Sequence, residues 1–313
     1  MDFLYFLQSI RNPILDAFFS AVTHLGEELI FLAAAIIIFW CIDKFEGYYI
    51  MAVGFIGTVL NQFLKIFFRI PRPWVLDKNF PIVESARAEA TGYSFPSGHT
   101  QSFIGTAGSV ALWNKNKWLR IALGALMLLV PFSRMYLGVH TPLDVGVSFA
   151  LGIILVILLK PIINKAKTSP KFMYILIGFM LLIALGNLLF CELYNFPKDV
   201  DAENYASALK NAYKLFGCIL GLPIVYFLDS KFIKFKTDGS FLFQIFKIVI
   251  GLALVLGVKE GAKPLLKLLL GDLPIANGIR YFFVVLAAGA LWPFVFTKLE
   301  KYFKRKEKCK QEK

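Results

Sequence analysis

Nine apolar runs, most of them about as long as a helix must be to cross a bilayer and most bounded by charge, leave this chain few ways to fold. They lie near residues 25–42, 48–68, 98–113, 118–137, 142–160, 172–191, 214–229, 240–258 and 279–297. A hydrocarbon core about 30 Å thick takes roughly twenty helical residues, and within it a chain satisfies its backbone polar groups only as helices or a closed barrel. Continuous runs of this length predict helices. The expected fold is therefore all-α, a polytopic transmembrane bundle with a six-helix core over 25–191 and about three further membrane helices over 192–297.

The remaining segments divide by charge. Residues 1–24 set Phe3, Phe6, Leu7, Ile10, Ile14 and Phe18 at helical spacing, interrupted by Arg11 and Asp16, and predict an interfacial helix. This segment lacks the basic start and small-residue cleavage site of a secretory signal, so it is expected to be retained. Segments 191–213 and 259–278 are too polar to span and are expected to cap one face; residues 298–313 form a basic tail. The net charge of +13 could suggest nucleic acid as a partner. The basic residues, however, fall between apolar runs and in the tail, so loop topology accounts for them, and the expected partner is the lipid bilayer. Cys41, Cys191, Cys218 and Cys309 are scattered without a C-x-x-C pair, which predicts neither a disulfide framework nor a zinc site.

Three polar clusters sit at the ends of apolar runs, and alternation of the spans places all three on one membrane face. The first is Lys65-IFFRIP-Arg72-Pro73. Its two cations lie two helical turns apart, though Pro71 and Pro73 end the helix there; each could equally snorkel to the interface. The second is Tyr93-Ser-Phe-Pro-Ser-Gly-His99, directly before a helix. Its amides could bind an anion, Gly98 permits close backbone approach, Ser97 adds a hydroxyl and His99 can protonate a leaving oxygen. A simple turn capping a helix would look the same. The third is Ser133-Arg134-MYLGV-His140-TPL-Asp144. Asp144 could close a capping box with Thr141. It could also accept the proton of one His140 nitrogen and leave the other as a nucleophile.

Together the clusters supply three cations, helix-end amides, two histidines and an orienting carboxylate. Phosphoryl transfer calls for that inventory, because charge spreads over three equatorial oxygens in its transition state. Asn61 lies one turn before Lys65 and could orient its ammonium. His24, Asn187, Glu84, Arg87 and Glu89 receive no role.

The spacings K-x6-RP, PSGH and SR-x5-H-x3-D resemble those of the type 2 phosphatidic acid phosphatase superfamily, which includes lipid phosphate phosphatases, glucose-6-phosphatase and vanadium haloperoxidases. The resemblance covers residues 48–160, with motifs at 65–73, 93–99 and 133–144. It implies that 25–191 is a phosphatase core in which His140 is the nucleophile, Asp144 its partner and His99 the general acid. Lys65, Arg72, Ser97, Gly98 and Arg134 would cradle the phosphate, with no metal and no cofactor. The expected substrate is a lipid phosphate or diphosphate of the phosphatidate, phosphatidylglycerophosphate or polyprenyl diphosphate class. The alternatives are a soluble sugar phosphate, or non-catalytic lipid binding or transport on the same scaffold. The basic tail decides the expected orientation, since the other cations divide almost evenly between the faces. By the positive-inside rule the C-terminus is cytoplasmic and the motif face external, in a membrane expected to be the cell membrane.

Overall fold

The computed structural model describes residues 1–198 and 200–311, with side chains through residue 302. Thirteen α-helices make up the described chain. They are α1 (Asp2–Ser9), α2 (Pro13–Thr23), α3 (Glu28–Cys41), α4 (Lys44–Phe68), α5 (Pro73–Leu76), α6 (Gly98–Trp113), α7 (Lys117–Tyr136), α8 (Pro142–Thr168), α9 (Pro170–Leu193), α10 (Ala202–Leu228), α11 (Phe241–Leu270), α12 (Ile275–Leu286) and α13 (Trp292–Gln311). Helix starts follow local chemistry. Asp43, Asn116, Asp201 and Ser240 accept main-chain N–H groups at the starts of α4, α7, α10 and α11, satisfying donors that have no partner within the helix. Thr141 and Pro142 open α8 as N-cap and first helical residue.

The protein is an integral membrane helical bundle, but among the described residues seven helices rather than nine are long and apolar enough to cross on their own, and α2 with α3 forms a bent pair that reaches that length only together. The two that fall short are α3, with 14 residues, and α6, with 16, about 21 and 24 Å at 1.5 Å per residue. Both start beside the polar clusters, and their first residues are spent on building that site.

Three further expectations change. Residues 1–24 form two helices, not one, because Asn12 caps α2 and Pro13 begins it. Leu4, Leu7, Phe19 and Val22 are buried, and Arg11 donates to the carbonyls of Tyr136 (2.9 Å) and Pro81 (2.7 Å). Segment 259–278 is not a separate cap. Helix α11 runs through Pro264 to Leu270 and stops at Gly271, whose φ is +62°. Residues 202–213 are likewise the first three turns of α10. The basic tail begins in α13, and its side chains beyond residue 302 lie outside the described ones.

One apolar cluster joins α3, α4, α8 and α9 to α10, α11 and α13, running from Trp40, Ile56 and Leu159 to Cys218, Val255 and Phe296. Gly217 allows the closest approach within the second group, since a Cβ there would overlap the carbonyl of Gly278 on α12. On the face away from the motifs, buried Glu46 is neutralised by Lys160 (2.6 Å) and Lys167 (2.9 Å). A buried carboxylate in a membrane protein requires such pairing.

Candidate active site

Helix α4 ends where Arg69 takes the left-handed conformation at φ +50°, and this turn decides how the two cations of the first cluster meet. Lys65 remains on the last turn of α4, whereas Arg72 sits in extended chain before α5. They do not share a helix face; they converge because the chain folds back. Lys65 donates to the carbonyls of Tyr93 and Ser94. Arg72 donates to the carbonyls of Gly92 (3.1 Å), Thr91 (2.8 Å) and Val139 (2.9 Å). The first cluster thus clamps the loop that carries the second.

Arg72 Nη1 also lies 2.9 Å from His140 Nε2. A guanidinium can only donate, so Nε2 accepts and carries the lone pair. On the other side of the ring, Nδ1 faces Asp144 Oδ2 at 3.3 Å, where it must carry the proton. His140 is therefore the neutral Nδ1–H tautomer with Nε2 turned toward the cations. Burial, followed by Arg72, Arg134 and Lys65, holds its pKa well below the ordinary imidazole value, so the lone pair persists at neutral pH.

Asp144 Oδ2 receives two more donors, the Ser94 hydroxyl at 2.6 Å and the Thr141 amide at 2.8 Å. Thr141 Oγ1 in turn accepts from the Asp144 amide at 3.3 Å. The capping box and the contact with histidine are thus both present, and one oxygen serves both.

The polar groups surround a cavity of about 390 Å³ lined by Lys65, Arg72, His140, Gly98, His99 and Gln101, among others. Ser97, Arg134 and Asp144 are fully buried. The Ser97 hydroxyl caps α6, accepting from Thr100 N (3.4 Å) and Thr100 Oγ1 (3.0 Å), which leaves its own proton free to donate. Arg134 Nη1 donates to Thr23 Oγ1 at 2.7 Å, while its Nε and Nη2 are buried without a partner, as is His99 Nε2. Buried donors without partners are costly. Here they stand among the residues that the three motifs supply, and an anionic group is what they could bind.

Several contributors carried no sequence assignment. Ser94 lies inside the second motif. Gln101, one turn after Ser97, lines the cavity with both side-chain polar atoms unpartnered. Asn61 also lines it, but its side chain makes no bond to Lys65, whose partners are the two carbonyls. Glu89 reaches the same cavity, whereas Glu84 and Arg87 pair with each other at the surface. The opposite wall includes Glu28 of α3 with Asn211 and Lys214 of α10.

The chain is similar to known proteins over most of its length. The profile of the PAP2 superfamily matches residues 46–168, and that of the PAP2 superfamily phosphatase transmembrane extension matches residues 213–305. The chain belongs to the PAP2 superfamily. Among PAP2 proteins it is 30% identical to phosphatidylglycerophosphatase B of Bacillus subtilis over 171 residues, 50% of this chain and 80% of that one. It is 29% identical to sphingosine-1-phosphate phosphatase 1 of Rattus norvegicus over 189 residues, 57% of this chain but only 43% of that longer protein. A crystal structure of Aquifex aeolicus LpxE is 28% identical and aligns over 50% of this chain and 92% of that one, with a TM-score of 0.44. The extension matched at 213–305 corresponds to most of α10 together with α11, α12 and the described start of α13.

Removing the Ser94 hydroxyl tests the geometry around Asp144. A hydrogen bond to a charged group contributes about 1.5–3 kcal/mol, so Ser94→Ala is expected to lower phosphate-ester turnover about ten- to a hundredfold. An unchanged rate in the purified variant would mean that this bond does not help to hold Asp144.

Proposed function

We propose that the protein hydrolyses a lipid phosphate or diphosphate through a covalent phosphohistidine on His140. The observation that carries this reading is the placement of His140 at a cation-lined cavity, with Nδ1 against Asp144 and Nε2 against Arg72, which calls for the Nδ1–H tautomer. In the first step Nε2 attacks phosphorus as the bond to the leaving oxygen breaks. Burial, followed by Arg134, Arg72 and Lys65, holds the His99 pKa well below the ordinary imidazole value, so His99 takes up a proton with the bound phosphate anion, which favours its charged form, and gives that proton to the leaving oxygen. Arg72 must exchange its bond to Nε2 for one to the phosphoryl oxygens. Lys65, Arg134, Ser97 and the Gly98 amide complete the cradle, and their fixed charges and dipoles stabilise the transition state without reorganisation. In the second step water attacks the phosphohistidine, His99 takes a proton from it and the N–P bond breaks, which releases phosphate and restores both histidines. Asp144 holds the Nδ1 proton throughout and stabilises the positive charge that builds on the ring.

The relatives support a lipid as substrate. They include a phosphatidylglycerophosphatase, sphingosine-1-phosphate phosphatases and undecaprenyl-diphosphatases, and a site at the end of membrane helices suits an ester whose headgroup lies at that level. On purified protein, labelled phosphate from a lipid phosphate should be trapped on the wild type and lost in His140→Ala, with turnover abolished. His99→Ala should slow most those substrates whose leaving oxygen needs a proton. Label that survives in His140→Ala would refute the nucleophile, and preference for sugar phosphates over lipid phosphates would refute the substrate class.

The active site is proposed to face outward, with the C-terminus in the cytoplasm. The support is the basic tail, which follows a span leading away from the motif face. In a variant without the native cysteines, Lys78→Cys in the exposed motif-face loop should react with an impermeant thiol reagent on intact cells. Protection until the cells are permeabilised would reverse the orientation and make the substrate cytoplasmic.

A further inference from the structure

The cavity that holds His140 shares part of its wall with a second, apolar one. Glu28 and Leu29, at the start of α3, line both; the second, of about 440 Å³, lies between α3 and the C-terminal helices. The walls of this second cavity are mostly hydrocarbon, supplied by Ala33 of α3, Phe55 of α4, Leu222 of α10, Val255 of α11 and Val284 of α12. Next to the cavity-lining Leu252, Gly251 sets how closely α11 packs. A Cβ at that position would meet the rings of Trp40 and Trp292, so glycine lets α11 seat against both indoles, which in turn donate to the carbonyls of Ala288 (2.8 Å) and Lys247 (3.0 Å). Toward the motif face, Ile30 and Leu256 are half-exposed cavity-lining residues on α3 and α11, which leaves a sideways opening to the bilayer. Charge gathers at the junction of the two cavities. Lys214 of α10 pairs with Glu28 and lies 5.1 Å from the Tyr281 ring, and Lys259 lies on the rim.

We propose that this cleft holds the hydrocarbon chain of the substrate while the phosphate occupies the His140 cavity. The proposal rests on the phosphatase reading above and adds a chain-binding role for the C-terminal extension, whose α10, α11 and α12 form much of the wall. The order of chemistry is that of an amphiphile: cations around the phosphate site, one ion pair at the junction, then hydrocarbon. Along α3 the cleft runs from Leu29 to Phe39, about 15 Å of helix, which suits an extended alkyl chain. A second helix would need a groove about 10 Å across. Because lipid tails are as apolar as the cleft, a chain gains little by leaving the bilayer for it. The benefit is placement, since a chain held there keeps its phosphate beside Nε2.

Hexadecyl phosphate with a diazirine midway along its chain, and the corresponding alcohol, test this on the full-length protein in nanodiscs. Irradiation should attach the phosphate probe to residues 28–39, 252–259 and 281–289, at least tenfold more than the alcohol. In Ala33→Trp, which places an indole in the cleft, turnover of hexadecyl phosphate relative to p-nitrophenyl phosphate should fall at least tenfold. Crosslinks elsewhere on the bundle, or equal labelling by the alcohol as in a crevice for any bilayer lipid, would overturn the proposal, as would an unchanged ratio in Ala33→Trp. If those results came from a protein that still cleaves p-nitrophenyl phosphate, the cleft would be refuted and the phosphatase reading kept. A protein that cleaves no phosphate ester would lose both.

Discussion

Oδ2 of Asp144 receives the Ser94 hydroxyl, the Thr141 amide and His140 Nδ1, and the arrangement of the site follows from that convergence. A buried carboxylate is costly unless it is hydrogen-bonded or paired, and here three donors from two separate stretches of chain supply what water would have. In meeting that need they join the loop before α6 to the start of α8. The carbonyl of Asp144 also accepts from the Ser97 amide at 3.1 Å, so the two motifs are tied at main chain as well as side chain. The same oxygen sets the proton on His140, and the guanidinium of Arg72 sets the lone pair on the other side of the ring. Fold and proposed chemistry therefore depend on one carboxylate.

The membrane explains why the site lies where it does. Backbone polar groups in hydrocarbon must be satisfied within helices, so irregular chain such as 69–97 is confined to the bundle's ends or to protein-lined cavities. The helices α4, α6 and α8 bring their polar ends to one place, and α3 and α6 are short because their first turns lie at the cavity. The C-terminal helices are continuous with the same apolar core, and Lys214 and Asn211 of α10 reach the cavity wall. The extension thus belongs to the architecture of the site rather than lying beside it.

Much of this was legible in sequence because hydropathy and motif spacing report local constraints. Apolar runs marked the spans, and Thr141, Pro142 and Asp144 marked a helix start whose capping box is present. What stayed hidden depends on contacts between distant segments. No spacing pairs Glu28 with Lys214, and Gln101 reads as an ordinary polar residue in an apolar run until α6 turns it into the cavity. At Pro264, proline and the neighbouring charges argue for a helix end. Pro264 nevertheless sits inside an uninterrupted helix, which stops only where Gly271 supplies a positive φ. Pro71 and Pro73 signal that the helix carrying Lys65 ends before Arg72, but not that the two cations meet through the turn at Arg69.

Everything proposed for the chemistry requires that Nε2 of His140 be the atom that takes the phosphoryl group. Nuclear magnetic resonance of the trapped phosphoenzyme, made with ¹⁵N-labelled histidine, identifies the phosphorylated nitrogen through its coupling to ³¹P. The account predicts phosphorus on Nε2 of His140, with Nδ1 still protonated. Phosphorus on Nδ1, or on His99, would contradict it.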